Sequence, residues 1–154
     1  MKIVLVVLLL TIVGLIGIAF AFRPEEATFA QTEEVRGRIA YSGRYADARL
    51  NLRTVYTGAS ALGGTNYGFA RVPNGTEIVA RVAQVRTLLG VVRVIVKATL
   101  AGDERTLIER TPAQCVADWV ESTFSSLLTV LLAVAAFLMG TRLLFASGTT
   151  APRR

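Results

Sequence analysis

Side chains suited to acid–base or nucleophilic chemistry are scarce in this chain of 154 residues. It contains no histidine, so the commonest general base and the imidazole metal ligand are both absent. Its one cysteine, Cys115, allows neither an internal disulfide nor a thiolate metal cluster. No paired-carboxylate or Ser–Lys arrangement stands out among the other polar residues. The sequence therefore predicts a protein that is not an enzyme and that holds no metal and no cofactor.

Two features could still react or bind. Cys115 falls on the first turns of a predicted helix, where the helix dipole favours a thiolate, although a small packing residue is the favoured interpretation. The glycine-rich residues 57–76 match neither the P-loop nor the dinucleotide-binding pattern, so they are predicted to form a flexible connector. Within them, Tyr67 and Phe69 are candidate interface anchors for a partner. Asn74 fits a glycosylation sequon, but ordinary turn chemistry is favoured.

Arginine is far commoner than lysine, with 15 residues against two, and six of the arginines fall within predicted strands. A planar guanidinium pairs well with carboxylate or phosphate, so an arginine-rich sheet could meet lipid headgroups or an acidic partner. Charge at alternate strand positions is also the normal outer face of a half-buried sheet, and that interpretation is favoured. The six are Arg36, Arg38, Arg49, Arg53, Arg81 and Arg93.

Two apolar stretches are long enough to place the rest of the chain at a membrane. Residues 3–22 carry no charge, and twenty helical residues span about 30 Å, the thickness of the hydrocarbon core. A cleaved signal peptide is the alternative, since Ala19-Phe20-Ala21 resembles an A-x-A cleavage site, but its apolar core would be shorter. Residues 124–146 form the second stretch, in which only Arg142 is charged, near the far end.

The second span is expected to begin before it reaches the membrane. Thr111-Pro112-Ala113-Gln114 has the pattern of a capping box with proline at the first helical position, so residues 111–123 are predicted to form a juxtamembrane helix. Apolar residues recur along it at helical spacing. Trp119 is among them and is predicted to anchor the helix at the membrane interface.

The segment between the spans is expected to be a small antiparallel β domain. Apolar residues alternate there with polar ones, and turn residues separate the alternating runs. Five or six strands without a helix between them predict a sandwich or a small barrel of the OB or Sm type. The strands are predicted at residues 35–41, 48–54, 76–86, 91–100 and 105–110.

Positive charge predicts the orientation. Lys2, Arg142, Arg153 and Arg154 flank the spans without acidic neighbours, so both termini are expected to be cytoplasmic, with the middle of the chain outside a plasma (inner) membrane. Residues 23–123 hold 13 Lys and Arg against 11 Asp and Glu. Because most of the net charge of +6 then lies at the membrane flanks, it does not indicate nucleic-acid binding.

These patterns predict an α+β membrane protein in which two transmembrane helices flank a small antiparallel β domain. In sequence order the predicted parts are a transmembrane helix, a β domain with an N-terminal linker, a juxtamembrane helix, a second transmembrane helix and a short basic cytoplasmic tail. Their bounds are 1–22, 23–110, 111–123, 124–146 and 147–154.

Small residues recur on one face of each span. In lipid, such faces let helix backbones approach closely, where the hydrophobic effect contributes little to helix association. The two faces could meet each other within one molecule, or each could meet a helix of another protein. The candidates are Gly14, Gly17 and Ala21 in the first span, and Ser126, Thr129, Ala133, Ala136 and Gly140 in the second.

Together these features favour a non-catalytic auxiliary subunit of a larger integral-membrane complex. Its expected partners are the integral-membrane subunits of that complex and the lipid bilayer. The alternative is a membrane-anchored binding module that works alone and holds an envelope protein, a lipid or a small ligand.

Overall fold

The computed structural model describes residues 2–42, 47–65, 72–103 and 105–147. Over these residues the chain forms three helices and eight strands, and the predicted α+β class is confirmed. The helices are α1 (Lys2–Ala21), α2 (Glu26–Ala30) and α3 (Pro112–Ser147). The strands are β1 (Thr32–Ser42), β2 (Asp47–Leu50), β3 (Arg53–Val55), β4 (Gly58–Ala59), β5 (Gly64–Thr65), β6 (Glu77–Thr87), β7 (Gly90–Leu100) and β8 (Thr106–Glu109).

Six of these strands form one antiparallel sheet in the order β3-β2-β1-β6-β7-β8. Strand β1 is long enough to pair with β6 over its first part and with β2 over its end. The β6–β7 hairpin is the longest pairing, with 11 residues in each strand. Gly90 has a φ of +119°, a conformation that side chains disfavour, which explains a glycine at this hairpin turn. The strands predicted at residues 91–100 and 105–110 correspond to β7 and β8, which pair as an antiparallel hairpin.

The sheet curls round on itself beyond β3. The Tyr56 N–H donates to the Arg93 carbonyl at 2.8 Å, and the Ile95 N–H donates to the Tyr56 carbonyl at 2.8 Å. This parallel bridge joins the end of β3 to the edge of β7 that β8 leaves open. The enclosed core is aliphatic and fully buried, and its largest members are Ile39, Leu50, Val55, Ile78 and Ile95.

One predicted strand is wrong. Residues 48–54 are two strands, β2 and β3, that meet at a tight turn in which Asn51 and Leu52 have φ of 50° and 66°. Asparagine tolerates this left-handed conformation better than most residues. The Asn51 amide also donates to the Arg36 carbonyl at 2.8 Å and lies where a side chain at position 37 would point, which explains Gly37.

A second apolar cluster lies on the other face of the sheet and attaches the helices to it. The register of β6 against β7 shifts at a β-bulge between Arg81 and Val82. On the turn side of the bulge, Val85 and Val94 pack with Phe29 of α2 and Trp119 of α3. Ile18 and Phe22 pack against the same cluster from α1 and the residue that follows it.

The predicted flexible connector is wrong for residues 57–61. These residues are buried, and the Ala61 N–H donates to Thr123 Oγ1 at 2.8 Å. The chain packs there because small residues let it lie close to α3. The turn predicted around Asn74 is present, with Gly75 at a φ of +86° and Thr76 Oγ1 donating to the Pro73 carbonyl at 2.7 Å.

Helix α3 runs unbroken from the domain through the second apolar stretch. Its predicted capping box is confirmed, because the Gln114 N–H donates to Thr111 Oγ1 at 3.2 Å and the Thr111 N–H donates to Gln114 Oε1 at 2.8 Å. The predicted juxtamembrane helix and second span are thus parts of a single helix of 36 residues. Helices α1 and α3 are both long and apolar enough to cross a membrane.

Candidate functional site

The helix pair and its junction with the β domain are the best-defined candidate site. Among the described residues, no group of three or more acidic, cysteine or histidine side chains could hold a metal ion.

Helices α1 and α3 lie against each other and run in opposite directions. Helix α1 ends at the domain, α3 begins within it, and both line an apolar groove of about 340 Å³ at the junction. The lining segments extend over residues 16–23 of the first helix and its end, and over 119–127 of α3. The midpoints of these two lining segments are close to Phe20 and Thr123, so these two residues lie at about the same height along the helix pair.

The faces by which the helices contact each other carry mostly large residues. Half-buried residues recur at spacings of three and four along each helix, which marks one stripe on each. In α1 they include Val4, Leu8, Thr11, Leu15 and Ile18, and in α3 they include Val130, Val134, Leu138 and Thr141. Because the helices contact each other, these stripes are the contact faces of the pair.

The predicted small-residue faces lie elsewhere. Gly14, Gly17 and Ala21 are exposed, and so are Thr129, Ala133, Ala136 and Gly140; Ser126 alone of the eight is half-buried. A methyl group added at Gly14, Gly17 or Gly140 would meet no atom within 4 Å. The structure therefore does not bring the two small faces against each other within the molecule.

The two small faces nevertheless share one side of the helix pair. Successive residues of an α-helix are rotated by about 100° around its axis. In each helix, the centre of the small-residue face therefore lies about a third of a turn from the centre of the contact stripe, and the direction of this rotation is the same in both helices. Since the helices are antiparallel, the same sense of rotation points both faces to the same side. We call this surface, formed by Gly14, Gly17, Ala21, Thr129, Ala133, Ala136 and Gly140, the small-residue surface.

Trp119 does not occupy the position expected of a lipid-facing anchor. The side chain is only 3% exposed and packs in the cluster that joins α3 to the sheet. Its Nε1 is buried without an acceptor in the described part of the chain. The other two predicted anchors, Tyr67 and Phe69, lie outside the described residues.

Cys115 is buried in the same cluster as Trp119. Burial raises the pKa of the thiol above its ordinary value of 9.0, although the nearby Arg110 guanidinium opposes the rise; the Asp118 carboxylate adds to it. The thiolate favoured by the helix dipole is therefore disfavoured by desolvation, and the packing interpretation agrees with this environment.

Arg110 joins the sheet to α3, a role that the sequence patterns did not reveal. Its guanidinium donates to Asp118 Oδ2 at 3.1 Å, to the Ile95 carbonyl at 2.8 Å and to the Thr57 carbonyl. The side chain is 15% exposed and borders a cleft of about 380 Å³ with Glu121 and Ser122. Its donors are directed at structural acceptors, so Arg110 holds the junction together. In the sequence, only its position just before the capping box indicated this role.

Two of the arginines predicted from strand positions have acidic partners, and the two pairs lie on opposite faces of the sheet. Arg36 Nε lies 2.9 Å from Glu77 Oε1, and Arg93 lies 4.0 Å from Glu33. The strand register puts Arg38 and Arg49 on the face that Arg36 occupies, and Arg81 opposite Glu34 on that face. The exposed pair of Arg36 and Glu77 contributes little to stability, whereas the Arg93 side chain is only 16% exposed.

Comparison of the chain with protein-family models, with curated proteins and with solved structures finds no match.

Proposed function

We propose that this protein is a non-catalytic auxiliary subunit of a larger integral-membrane complex. It spans the plasma (inner) membrane twice, with both termini cytoplasmic and the β domain outside. The small-residue surface packs against transmembrane helices of the complex, and the domain covers the outer side of that contact. The strand order and its parallel closure support an OB-type barrel for this domain rather than a sandwich.

The matched lengths of the two spans support the membrane arrangement. Residues 3–22 and 122–141 are each uncharged over 20 residues, or about 30 Å of helix. Counting from the level shared by Phe20 and Thr123, Lys2 lies about 27 Å away along α1 and Arg142 about 28 Å away along α3. Both basic positions thus fall at the same end of the pair, the end that the positive-inside rule assigns to the cytoplasm.

The exposed small-residue surface is the observation that carries the proposal. A helix that only tethers a domain gains nothing from glycine and alanine aligned toward lipid, whereas close contact with another helix requires them. The contact between α1 and α3 uses other faces, so it leaves this surface free. Its position on one side of the pair suits a single neighbouring subunit.

The experiment is extraction of the native membrane in mild detergent, followed by native gel electrophoresis and mass spectrometry of the bands. The proposal expects the chain to migrate with much larger integral-membrane subunits. Migration of the chain alone, or as a small homo-oligomer, would contradict it and would favour the binding module that works alone.

Matched variants test the surface itself. Ala133→Leu and Gly140→Leu add bulk to the small-residue surface and are expected to reduce comigration several-fold. Leu132→Ala and Met139→Leu change exposed neighbours on another face and are expected to have little effect. Equal losses in both sets would exclude the small-residue surface as the contact.

A further inference from the structure

The turn between β6 and β7 exposes a group of large apolar side chains. Leu88, Leu89 and Val91 are 47%, 83% and 63% exposed, and they occupy adjacent positions around Gly90. Single exposed apolar residues are ordinary on a protein surface, but three together at a hairpin turn indicate a contact surface.

This turn lies beside the ends of both spans. The Leu88 N–H donates to the Ala61 carbonyl at 2.8 Å, and the Ala61 N–H donates to Thr123 Oγ1 at 2.8 Å. Thr123 lies within one helical turn of Glu121, the last charged residue before the uncharged part of α3. The turn is therefore close to the level at which α3 enters its apolar stretch.

Contacts near the end of α1 place the turn at the same level along the spans. Val92 follows the turn immediately and packs against the cluster that also receives Ile18 and Phe22. Phe22 directly precedes Arg23, the first charged residue after the apolar stretch of α1. The hairpin end thus lies at the boundary of both apolar stretches.

Basic residues border the turn. Arg86 is exposed and lies opposite Val91 across the hairpin, and no acidic residue occurs from Arg86 to Lys97. Arg23 is exposed at the rim of the groove between the helices. In the part of the chain that the structure describes, neither Arg23 nor Arg86 forms an ion pair. Apolar side chains below guanidinium groups match the chemistry of a phospholipid interface, where phosphates lie above acyl chains.

We propose that the β6–β7 turn inserts Leu88, Leu89 and Val91 into the outer leaflet of the bilayer, with Arg86 and Arg23 at the level of the lipid phosphates. This inference rests on the two-span arrangement of the proposed function. The turn then forms a third membrane contact, which holds the barrel against the bilayer surface instead of leaving it supported by the helices alone.

The test places an environment-sensitive fluorophore on single cysteines of the full chain in a Cys115→Ala background. The protein is reconstituted into vesicles of phosphatidylcholine and phosphatidylglycerol, with and without nitroxide-labelled lipid. Leu89→Cys is expected to give blue-shifted emission and a several-fold loss of intensity with the nitroxide lipid. Adding Arg86→Gln is expected to weaken this effect more in vesicles with phosphatidylglycerol than in vesicles without it.

Two further positions separate the failure of this inference from failure of the proposed spans. Phe124→Cys, on the exposed face of α3, reports the span. Leu52→Cys reports a remote turn, since Leu52 is 91% exposed and follows Asn51, whose side chain lies against Gly37. Gly37 pairs with Ile78, which is about 30 Å along β6 from the hairpin end. The inference requires quenching at Leu89 and Phe124 but not at Leu52.

Each of the remaining outcomes would contradict a specific part of the proposal. Quenching at Phe124 without quenching at Leu89 leaves the spans intact and excludes insertion of the turn. A blue shift at Leu89 without quenching indicates contact with protein and also excludes insertion. No quenching at Phe124 removes the two-span arrangement, and the inference with it.

Discussion

Arg110 shows at the scale of one residue how the domain and α3 are held together. One guanidinium donates to two backbone carbonyls of the β domain and to the carboxylate of Asp118 on α3. Such a group is difficult to replace, because its removal takes a hydrogen-bond donor from each of two carbonyls in a mostly buried site. A sequence pattern cannot reveal this role, since the partners are distant in the chain and two of them are backbone atoms.

Replacing Arg110 is expected to destabilise the junction more than replacing its acidic partner. Arg110→Met keeps most of the side-chain bulk but is expected to cost about 2–3 kcal/mol, because the carbonyls lose their donor. Asp118→Asn is expected to cost about 1 kcal/mol or less, since Asp118 is 40% exposed. Denaturant unfolding in detergent micelles, followed by fluorescence of Trp119, the one tryptophan, measures both. A larger cost for Asp118→Asn would contradict this assignment.

Cys115 is expected to make stability depend on pH in the alkaline range. Because burial raises its pKa in the folded protein, the thiol contributes fully to stability below its ordinary pKa of 9.0. Above that pH the unfolded chain ionises first, so the free energy of unfolding falls as pH rises toward the pKa of the folded state. Unfolding at several pH values measures this dependence. The Cys115→Ala variant should lose the part of the alkaline decline in stability that the thiol causes. An unchanged pH profile in that variant would contradict the assignment of this decline to Cys115.

At the scale of elements, alternating runs bounded by turn residues predicted the strands most closely. Strands β6, β7 and β8 lie close to their predicted bounds, although β6 and β7 bury residues on both faces of the sheet. The break between β2 and β3 was missed because Leu50 and Leu52 continue the alternation through the turn, although Leu50 is buried and Leu52 exposed. The packing of residues 57–61 was missed because small residues give the same pattern in a loose loop and in a tight contact.

The turn between β2 and β3 predicts a coupled pair of positions. Gly37→Ala is expected to cost about 1–3 kcal/mol, because its methyl group would overlap the Asn51 side chain. In an Asn51→Gly background the same substitution is expected to cost much less, since the obstructing amide is gone and glycine tolerates the positive φ of residue 51. A double-mutant cycle of chemical denaturation measures the coupling. Additive costs would show that the two positions are independent.

At the scale of the whole molecule, the apolar stretches and their approximate bounds were predictable because hydrophobicity over 20 residues is a strong signal. The candidate small-residue surface was predictable only in part. Spacing identified the small face of each helix, but which face each helix turns toward the other depends on how both pack on the sheet. That docking depends on Trp119, Phe29 and Arg110, which meet only in the folded chain.

The orientation of the whole molecule can be tested by labelling in intact cells. In a Cys115→Ala background, Asp103→Cys lies in an exposed turn of the β domain and is expected to react with a membrane-impermeant maleimide. Thr150→Cys, in the basic tail, is expected to react only after the membrane is permeabilised. The reversed pattern would place the domain in the cytoplasm, and labelling of neither position before permeabilisation would contradict the external domain.

The continuity of α3 also has a mechanical consequence. Its 36 residues make a rod about 54 Å long, with proline only at its first position. One end of the rod is embedded in the domain through Cys115 and Trp119. A tilt of the far half of α3 would therefore move the β domain with it, because α3 has no hinge that could absorb the movement.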